Sequence, residues 1–85
     1  MTTVKVYTTT YCGYCDRAKS LLKKKGVEYE EIDVTGDDDL RIKLVEMSGG
    51  MRTVPQIWVG ETHVGGFDDL SELDRSGKLD EMLKA

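Results

Sequence analysis

Residues 4–26 read VKVYTTTYCGYCDRAKSLLKKKG and change from a strand pattern to a helix pattern at a pair of cysteines. The alternating Val4 and Val6 predict a strand over Thr3–Thr8. Beyond the cysteines, an apolar stripe with helical spacing predicts an amphipathic helix: Ala18, Leu21 and Leu22. The helix is expected to stop at Gly26, after lysines that complement the negative end of the helix dipole.

The middle of the chain predicts a second strand and a second helix. Val27–Val34 is rich in β-forming residues, but its apolar phase slips between the two halves. Either a bulge or a strand covered on both faces is therefore required. The acidic run Asp37–Asp39 supplies acceptors for the start of a helix, whose predicted buried stripe is Leu40, Leu44 and Met47.

The last third of the chain predicts a hairpin and two short helices. Gln56–Val59 and Thr62–Val64 form the strands, and Gly60-Glu61 matches a two-residue turn. Apolar residues then mark the two helices: Leu70 and Leu73, followed by Leu79, Met82 and Leu83. The order β-α-β-α-β-β-α predicts one α/β domain over residues 1–85, with a four-stranded mixed sheet flanked by helices and a right-handed crossover.

Composition excludes several classes of function. The 12 basic and 16 acidic residues leave a net charge of −4, which disfavours nucleic acid as a partner. The longest apolar run, Ile57-Trp58-Val59, is too short for a membrane span, and no signal peptide is expected at the start. Two cysteines are too few for a disulfide-stapled secreted domain, so a reducing cytoplasmic location is expected.

Cys12 and Cys15 form a C-x-x-C motif at the predicted junction between strand and helix. A helix start offers unpaired N–H groups and favours an anion, and the thiolate is the reactive form of cysteine. Cys15 lies one turn further along the same face, so Cys12 is assigned as the attacking thiolate and Cys15 as the resolving thiol. A structural zinc site needs four ligands, and only His63 remains to join the two cysteines.

Two further motifs each leave two interpretations open. A cis Val54-Pro55 bond would expose the backbone of Val54 to an extended ligand, although a single X-Pro bond taken alone favours the trans form. The second motif, residues 65–69 (GGFDD), offers helix N–H groups for a carboxylate and Asp68 for an ammonium group, which suits an α-amino acid head group. Helix capping by Asp68 or Asp69 explains the same residues equally well.

Simpler roles are expected for several other side chains. Tyr14 is expected at the surface of the helix start, where it can contact a ligand, and Arg52 is either a carboxylate partner or a solvated side chain. Trp58, Met47 and Met82 are expected in the core, and His63 at the surface.

Taken together, three motifs resemble the glutaredoxin family over essentially the whole chain. They are Cys12-Gly13-Tyr14-Cys15, Thr53-Val54-Pro55 and Gly65-Gly66-Phe67-Asp68-Asp69, in the family's order and spacing. The resemblance is to small bacterial dithiol members and implies a thioredoxin-like fold and a cis Val54-Pro55 bond. It also implies a glutathione site formed by Tyr14, Arg52, Thr53, Val54, Pro55, Gly66, Phe67 and Asp68.

The resemblance assigns parts of glutathione to particular residues. Val54 would pair with the cysteinyl backbone of glutathione, and Arg52 with its glycyl carboxylate. Asp68 and the Phe67 N–H would hold the γ-glutamyl head group. The implied activity is glutathione-dependent reduction of protein disulfides and of protein–glutathione mixed disulfides, with Cys12 attacking and Cys15 resolving.

This chain departs from common family patterns at three positions. Gly13 stands where many dithiol members have Pro, Thr9 stands where a Lys is common, and Phe67 stands where a small residue is frequent. With Gly13 at this position, the chain is similar to relatives in which an iron–sulfur cluster bridges two protomers and is held by the first cysteine and glutathione. Cluster binding by Cys12 is therefore the alternative function, with a dimer expected only in that state and a monomer otherwise. A thioredoxin is disfavoured because the Trp-Cys-Gly-Pro-Cys pattern is absent.

Overall fold

The computed structural model describes residues 3–84. It contains four strands and four helices within this range, in the predicted order and with a final helical pair. The elements are β1 Val4–Thr8, α1 Gly13–Lys24, β2 Glu30–Asp33, α2 Asp38–Met47, β3 Gln56–Val59, β4 Thr62–Gly65, α3 Phe67–Ser76 and α4 Lys78–Lys84.

The strands form one mixed sheet in the order β2-β1-β3-β4. β1 pairs in parallel with β2, which requires the crossover through α1, and it pairs antiparallel with β3. β3 and β4 form the predicted antiparallel hairpin. The predicted four-stranded mixed sheet is confirmed, and β1 and β3 occupy its centre.

Both faces of the sheet are covered, because alternate residues of the central strands point to opposite sides. On one face, side chains of β1 and β3 pack against α1, α3 and α4 in a core of Val4, Val6, Ala18, Leu22, Ile57, Val59, Leu70 and Leu79. On the other face, a smaller core lies under α2 and is formed by Tyr7, Val34 and Leu44. Truncating any of the fully buried leucines should cost about 2–5 kcal/mol.

The end of α1 is determined by a Schellman motif at the predicted glycine. Gly26 has a φ of 72°, its N–H donates to the Lys23 carbonyl, and the Val27 N–H donates to the Leu22 carbonyl. This turn sends the chain back along the sheet toward β2. The prediction that α1 stops at Gly26 is confirmed.

The predicted second strand was too long, and its phase slip has a structural cause. β2 covers only Glu30–Asp33, because Val27 belongs to the turn after α1. Val27 and Tyr29 pack against the core under α1, whereas Ile32 packs against the core under α2. The slip therefore falls between the turn residues and β2, and neither a bulge nor a strand covered on both faces is needed.

Met47 is not a core residue, so that prediction was wrong. Its side chain is 43% exposed, although Leu44 one turn earlier is buried. Met47 lines an open pocket together with Tyr7 and Trp58, so its side chain is not covered there. Met82, by contrast, packs against the larger core as predicted.

Ion pairs attach the C-terminal helices to α1. The Lys25 ammonium contacts the carboxylates of Asp74 and Asp80, one at the end of α3 and one in α4. Hydrogen bonds from Asp74 and then Asp80 raise the pKa of Lys25 above its ordinary value. Within residues 3–84, no helix combines the length and the hydropathy that crossing a bilayer would require.

Candidate active site

Cys12 is the N-cap of α1, at the carboxyl end of the central strand β1. Its backbone is extended, with φ −148° and ψ 103°, and its sulfur accepts the Cys15 N–H at 3.0 Å. A side chain that accepts from N3 is what an N-cap requires, and here a sulfur takes the place of the usual oxygen. The same N–H stabilises negative charge on that sulfur, so the cap favours a thiolate.

The two cysteines are joined as a disulfide, with their Cα atoms 5.2 Å apart. They differ in accessibility, because Cys12 is partly exposed whereas only 1% of Cys15 is accessible. Cys15 lies on the buried face of α1 with Ala18 and Leu22. An external reactant therefore meets the Cys12 sulfur first.

Val54 and Pro55 lie beside Cys12 and are joined by a cis bond, as the resemblance implies. The Val54 carbonyl oxygen is 3.6 Å from the Cys12 sulfur. Within the described chain, neither the N–H nor the C=O of Val54 pairs with another backbone group. A backbone donor and a backbone acceptor without a backbone partner thus lie next to the Cys12 sulfur, while Pro55 itself is buried.

The loop before Pro55 is held by a residue that the sequence analysis missed. Gln56 is fully buried, and its amide nitrogen donates to the Thr53 carbonyl at 2.9 Å. Its amide oxygen lies 2.7 Å from Nε2 of His63, which is half-buried rather than at the surface as expected. The one signal in the sequence was an amide at the start of an otherwise apolar strand.

Gly65 and Gly66 lead into α3, and the two aspartates that follow have different roles. The Asp69 carboxylate accepts the Gly66 N–H at 3.2 Å, as the third residue of a capped helix commonly does. Asp68 is exposed and takes part in no ion pair among residues 3–84. Of the two interpretations of this motif, capping accounts for Asp69 and leaves Asp68 available.

Two aromatic side chains lie close together where α1 and α3 begin. The Tyr14 and Phe67 ring centroids are 6.3 Å apart, and the Arg17 guanidinium lies 5.3 Å from the Tyr14 centroid. Tyr14 is 56% exposed, as predicted, whereas Phe67 is half-buried against the larger core. These rings offer an apolar surface near Cys12.

Arg52 lies in an exposed groove that it shares with α2. Arg41, Ile42, Val45 and Glu46 line this groove together with Arg52. The sequence analysis did not single out Arg41, because the two arginines are far apart in the chain. A carboxylate in this groove would meet two guanidinium groups and one competing carboxylate, that of Glu46.

The segment before Cys12 is tied to β2 and to the loop after it. The Thr10 N–H donates to the Thr35 hydroxyl at 2.8 Å, and the Thr35 N–H donates to the Asp33 carboxylate at 2.8 Å. Hydrogen bonds from Thr35 lower the pKa of Asp33. These bonds restrict the loop that carries Cys12 into the site.

One ion pair also connects α1 to β2. The Lys19 ammonium donates to the Glu31 carboxylate at 3.0 Å, and the Thr8 hydroxyl donates to the same oxygen at 2.9 Å. The hydrogen bond from Lys19 is the largest cause that lowers the pKa of Glu31, and the same bond raises the pKa of Lys19. In the part of the chain that the structure describes, no three His, Cys, Asp or Glu side chains are grouped as a metal ion would need.

Comparisons with known proteins agree with this geometry. The glutaredoxin family profile matches residues 4–64. The chain is 55% identical to the glutaredoxin of Pseudomonas aeruginosa over 85 residues, which are 100% of both chains. The solution structure of a glutaredoxin from Brucella melitensis is 50% identical, with a TM-score of 0.88 over 99% of this chain and 90% of that one.

A second solved structure, the crystal structure of a buckwheat glutaredoxin–glutathione complex, is 37% identical. It superimposes with a TM-score of 0.89 and covers 98% of this chain and 77% of the buckwheat chain. These likenesses confirm the thioredoxin-like fold, and the family together with the Cys12–Cys15 pair supports a thiol–disulfide oxidoreductase function. This chain belongs to the glutaredoxin family.

Proposed function

We propose that this protein is a glutathione-dependent oxidoreductase that reduces protein–glutathione mixed disulfides and protein disulfides. The observation that carries the proposal is the position of Cys12, which is accessible, capped by the Cys15 N–H and 3.6 Å from the Val54 carbonyl. A reactive sulfur beside an unpaired peptide group suits a substrate that is itself a thiol-bearing peptide.

The groups around Cys12 can each contact a different part of glutathione. The free N–H and C=O of Val54 suit the cysteinyl backbone, with Thr53 and Pro55 fixing the loop on either side. Tyr14 and Phe67 supply apolar contact. The proposed glutathione site consists of Tyr14, Arg52, Thr53, Val54, Pro55, Gly66, Phe67 and Asp68.

Groups of complementary charge are available for both charged ends of glutathione. Gly66 is the N-cap of α3, whose first N–H groups have no partner inside the helix and can donate to the γ-glutamyl carboxylate. Asp68 is available for the ammonium group of that head. At the other end, Arg52 and Arg41 line the groove that would receive the glycyl carboxylate.

The proposed main reaction uses Cys12 alone. The Cys12 thiolate attacks the glutathionyl sulfur of a mixed disulfide, which forms a Cys12–glutathione disulfide and releases the protein thiolate. The thiolate of a second glutathione then attacks that glutathionyl sulfur. Oxidised glutathione leaves, and Cys12 returns as a thiolate.

Reduction of a protein disulfide needs both cysteines. Cys12 attacks one sulfur of the substrate disulfide and releases the other as a thiolate. The Cys15 thiol, once deprotonated, attacks the Cys12 sulfur and releases the second substrate thiolate, which leaves the Cys12–Cys15 disulfide. Two glutathiones restore the thiols and leave as oxidised glutathione. We expect a monomer in the reducing cytoplasm, acting without nucleic acid or membrane.

Coupled turnover tests this proposal directly. A glutathione mixed disulfide is supplied with glutathione, glutathione reductase and NADPH, and NADPH oxidation is followed. Cys15→Ser should keep most of this activity and lose most protein disulfide reduction, whereas Cys12→Ser should lose both. Turnover supported by thioredoxin reductase but not by glutathione would refute the proposal, and activity in Cys12→Ser with a dead Cys15→Ser would reverse the two roles.

A second candidate function, iron–sulfur cluster binding, is favoured by the open surface beside Cys12. A Cβ added at Gly13 would meet no atom within 4 Å, so the residue beside the partly exposed Cys12 lies in open space. Cys12 would be the protein ligand, and glutathione thiolates would supply the others. Visible absorbance and a dimer after anaerobic purification with glutathione would support cluster binding, and a colourless monomer would refute it.

A further inference from the structure

A buried chain of hydrogen bonds runs from the edge strand β4 to the loop beside Cys12. Gln56 is fully buried, and its amide nitrogen donates to the Thr53 carbonyl at 2.9 Å. Its amide oxygen lies 2.7 Å from the Nε2 atom of His63. Both ends of this amide are therefore satisfied, although it stands among apolar side chains of the smaller core.

The donor and acceptor in each of these hydrogen bonds follow from the carbonyl group at the Thr53 end. A carbonyl oxygen only accepts, so the Gln56 NH₂ group must face Thr53, and the Gln56 oxygen must then face His63. His63 can satisfy that oxygen only by donating, which requires a proton on Nε2. The His63 ring is itself held against Trp58, with the ring centroids 4.5 Å apart.

The hydrogen bond at Thr53 also orients the donor of Val54. The Thr53 carbonyl and the Val54 N–H belong to one planar peptide unit. This unit is trans, since the cis bond is the next one along the chain, between Val54 and Pro55. In a trans unit the C=O and N–H point in opposite directions, so holding the oxygen toward Gln56 turns the N–H away from the core. Accepting a hydrogen bond at the oxygen also polarises the N–H on the other side.

We propose that Gln56, held by His63, is a positioning residue that aims the Val54 N–H at the glutathionyl group bound on Cys12. This inference rests on the proposed function, because it assigns a supporting role to residues behind that site. The hydrogen bonds of the Gln56 side chain go to Thr53 and His63, so it acts on the site through the Thr53–Val54 peptide unit. Its effect is confined to the part of the reaction in which Val54 recognises the glutathione backbone.

Gln56→Met tests the role because it keeps the length of the side chain and removes both hydrogen bonds. It should lower kcat/KM for a glutathione mixed disulfide about tenfold, which is the loss expected for one misdirected hydrogen bond. The loss should appear in KM for the mixed disulfide, while the rate at which iodoacetamide alkylates reduced Cys12 stays unchanged. Thr62→Ala, an exposed β4 position next to His63, is the matched control and should leave both quantities at wild-type values.

His63 provides a second test that does not depend on how well Gln56→Met folds. His63→Phe keeps a ring against Trp58 but loses the donor, so it should also raise KM for the mixed disulfide. His63→Gln keeps an N–H donor in place of Nε2 and should restore KM toward the wild-type value. The backbone ¹H–¹⁵N signal of Val54 should shift in His63→Phe and return in His63→Gln.

The possible failures are distinguishable. If wild-type protein does not turn over a glutathione mixed disulfide with glutathione, the proposed function is wrong. If wild-type protein turns it over but both Gln56→Met and His63→Phe keep the wild-type KM for the mixed disulfide, the positioning role is wrong. A parallel fall in alkylation rate and in kcat/KM would show that Gln56 only maintains the fold, which also overturns the proposal.

Discussion

Replacing Gly65 by Ala should destabilise the protein far more than the same change at other glycines with positive φ. Gly65 is buried, has a φ of 114° and precedes α3. A Cβ built there would collide with the Asp69 carboxylate, the group that accepts the Gly66 N–H. The substitution therefore strains the backbone and displaces the residue that caps α3 at the same time.

The two effects set the expected magnitude. A side chain at such a φ costs about 1–3 kcal/mol, and losing the hydrogen bond between Asp69 and Gly66 costs about 0.5–1.5 kcal/mol. The free energy of unfolding should fall by about 2–4 kcal/mol, which lowers Tm by roughly 10–30 °C for a domain of this size. Gly26→Ala is the matched control, because Gly26 has a φ of 72° and no atom within 4 Å of the added Cβ. It should cost only about 1–2 kcal/mol.

Urea denaturation followed by circular dichroism measures these differences, with every variant kept fully reduced. A double-mutant cycle isolates the collision, because Asp69→Ala removes the carboxylate in advance. Gly65→Ala and Asp69→Ala together should cost about 0.5–1.5 kcal/mol less than the sum of the single changes, since the cap is lost only once. A Gly65→Ala variant as stable as Gly26→Ala, or a fully additive cycle, would show that the reasoning about this turn is mistaken.

Three further predictions concern the site, the ion pairs and the core. Asp68→Ala should raise KM for glutathione in the coupled assay without lowering Tm, and an unchanged dependence on glutathione concentration would make Asp68 a merely structural residue. Because Lys19 lowers the pKa of Glu31 below its ordinary value of 4.5, their pair stabilises the protein at neutral pH and is lost as the pH falls through that lowered pKa. Lys19→Met should therefore lower Tm at neutral pH, and its difference from wild type should shrink in thermal melts as the pH falls through the Glu31 pKa, whereas a constant difference would contradict the assignment. Met47→Lys should change the urea-derived stability by less than about 0.5 kcal/mol, and Leu44→Ala should cost about 2–5 kcal/mol; similar costs for the two would restore Met47 to the core.

Much of the active site could be predicted because its signals are local. A cysteine that lies between a strand pattern and a helical apolar stripe is expected at a helix start. In the structure Cys12 is the N-cap of α1, as this pattern predicts. Cys15, three residues later, follows onto the buried face by helix geometry alone. The lysine run before Gly26 likewise predicted the end of α1, since a left-handed residue after a helix is a property of a few neighbouring positions.

Other features depended on which element covers which face, and no local pattern contains that information. Met47 has the spacing of a buried residue, yet it lines an open pocket with Tyr7 and Trp58 and stays 43% exposed. The phase slip over Val27–Val34 became interpretable only when α1 was seen to cover one face of the sheet and α2 the other. Burial is a property of the packed elements, so identical periodicity can end in the core or at the surface.

The sequence by itself determined the order of the elements, the helix boundaries and the position of Cys12 at a helix start, because each depends on residues within about one or two turns of each other. The tertiary structure alone decided the contacts between residues distant in the chain. It brought Val54 to 3.6 Å from Cys12, joined His63 to Gln56 behind it, and divided the roles of Asp68 and Asp69. Such contacts arise because the crossover and the hairpin bring the ends of different strands together at the same end of the sheet. That arrangement exists only in the folded chain.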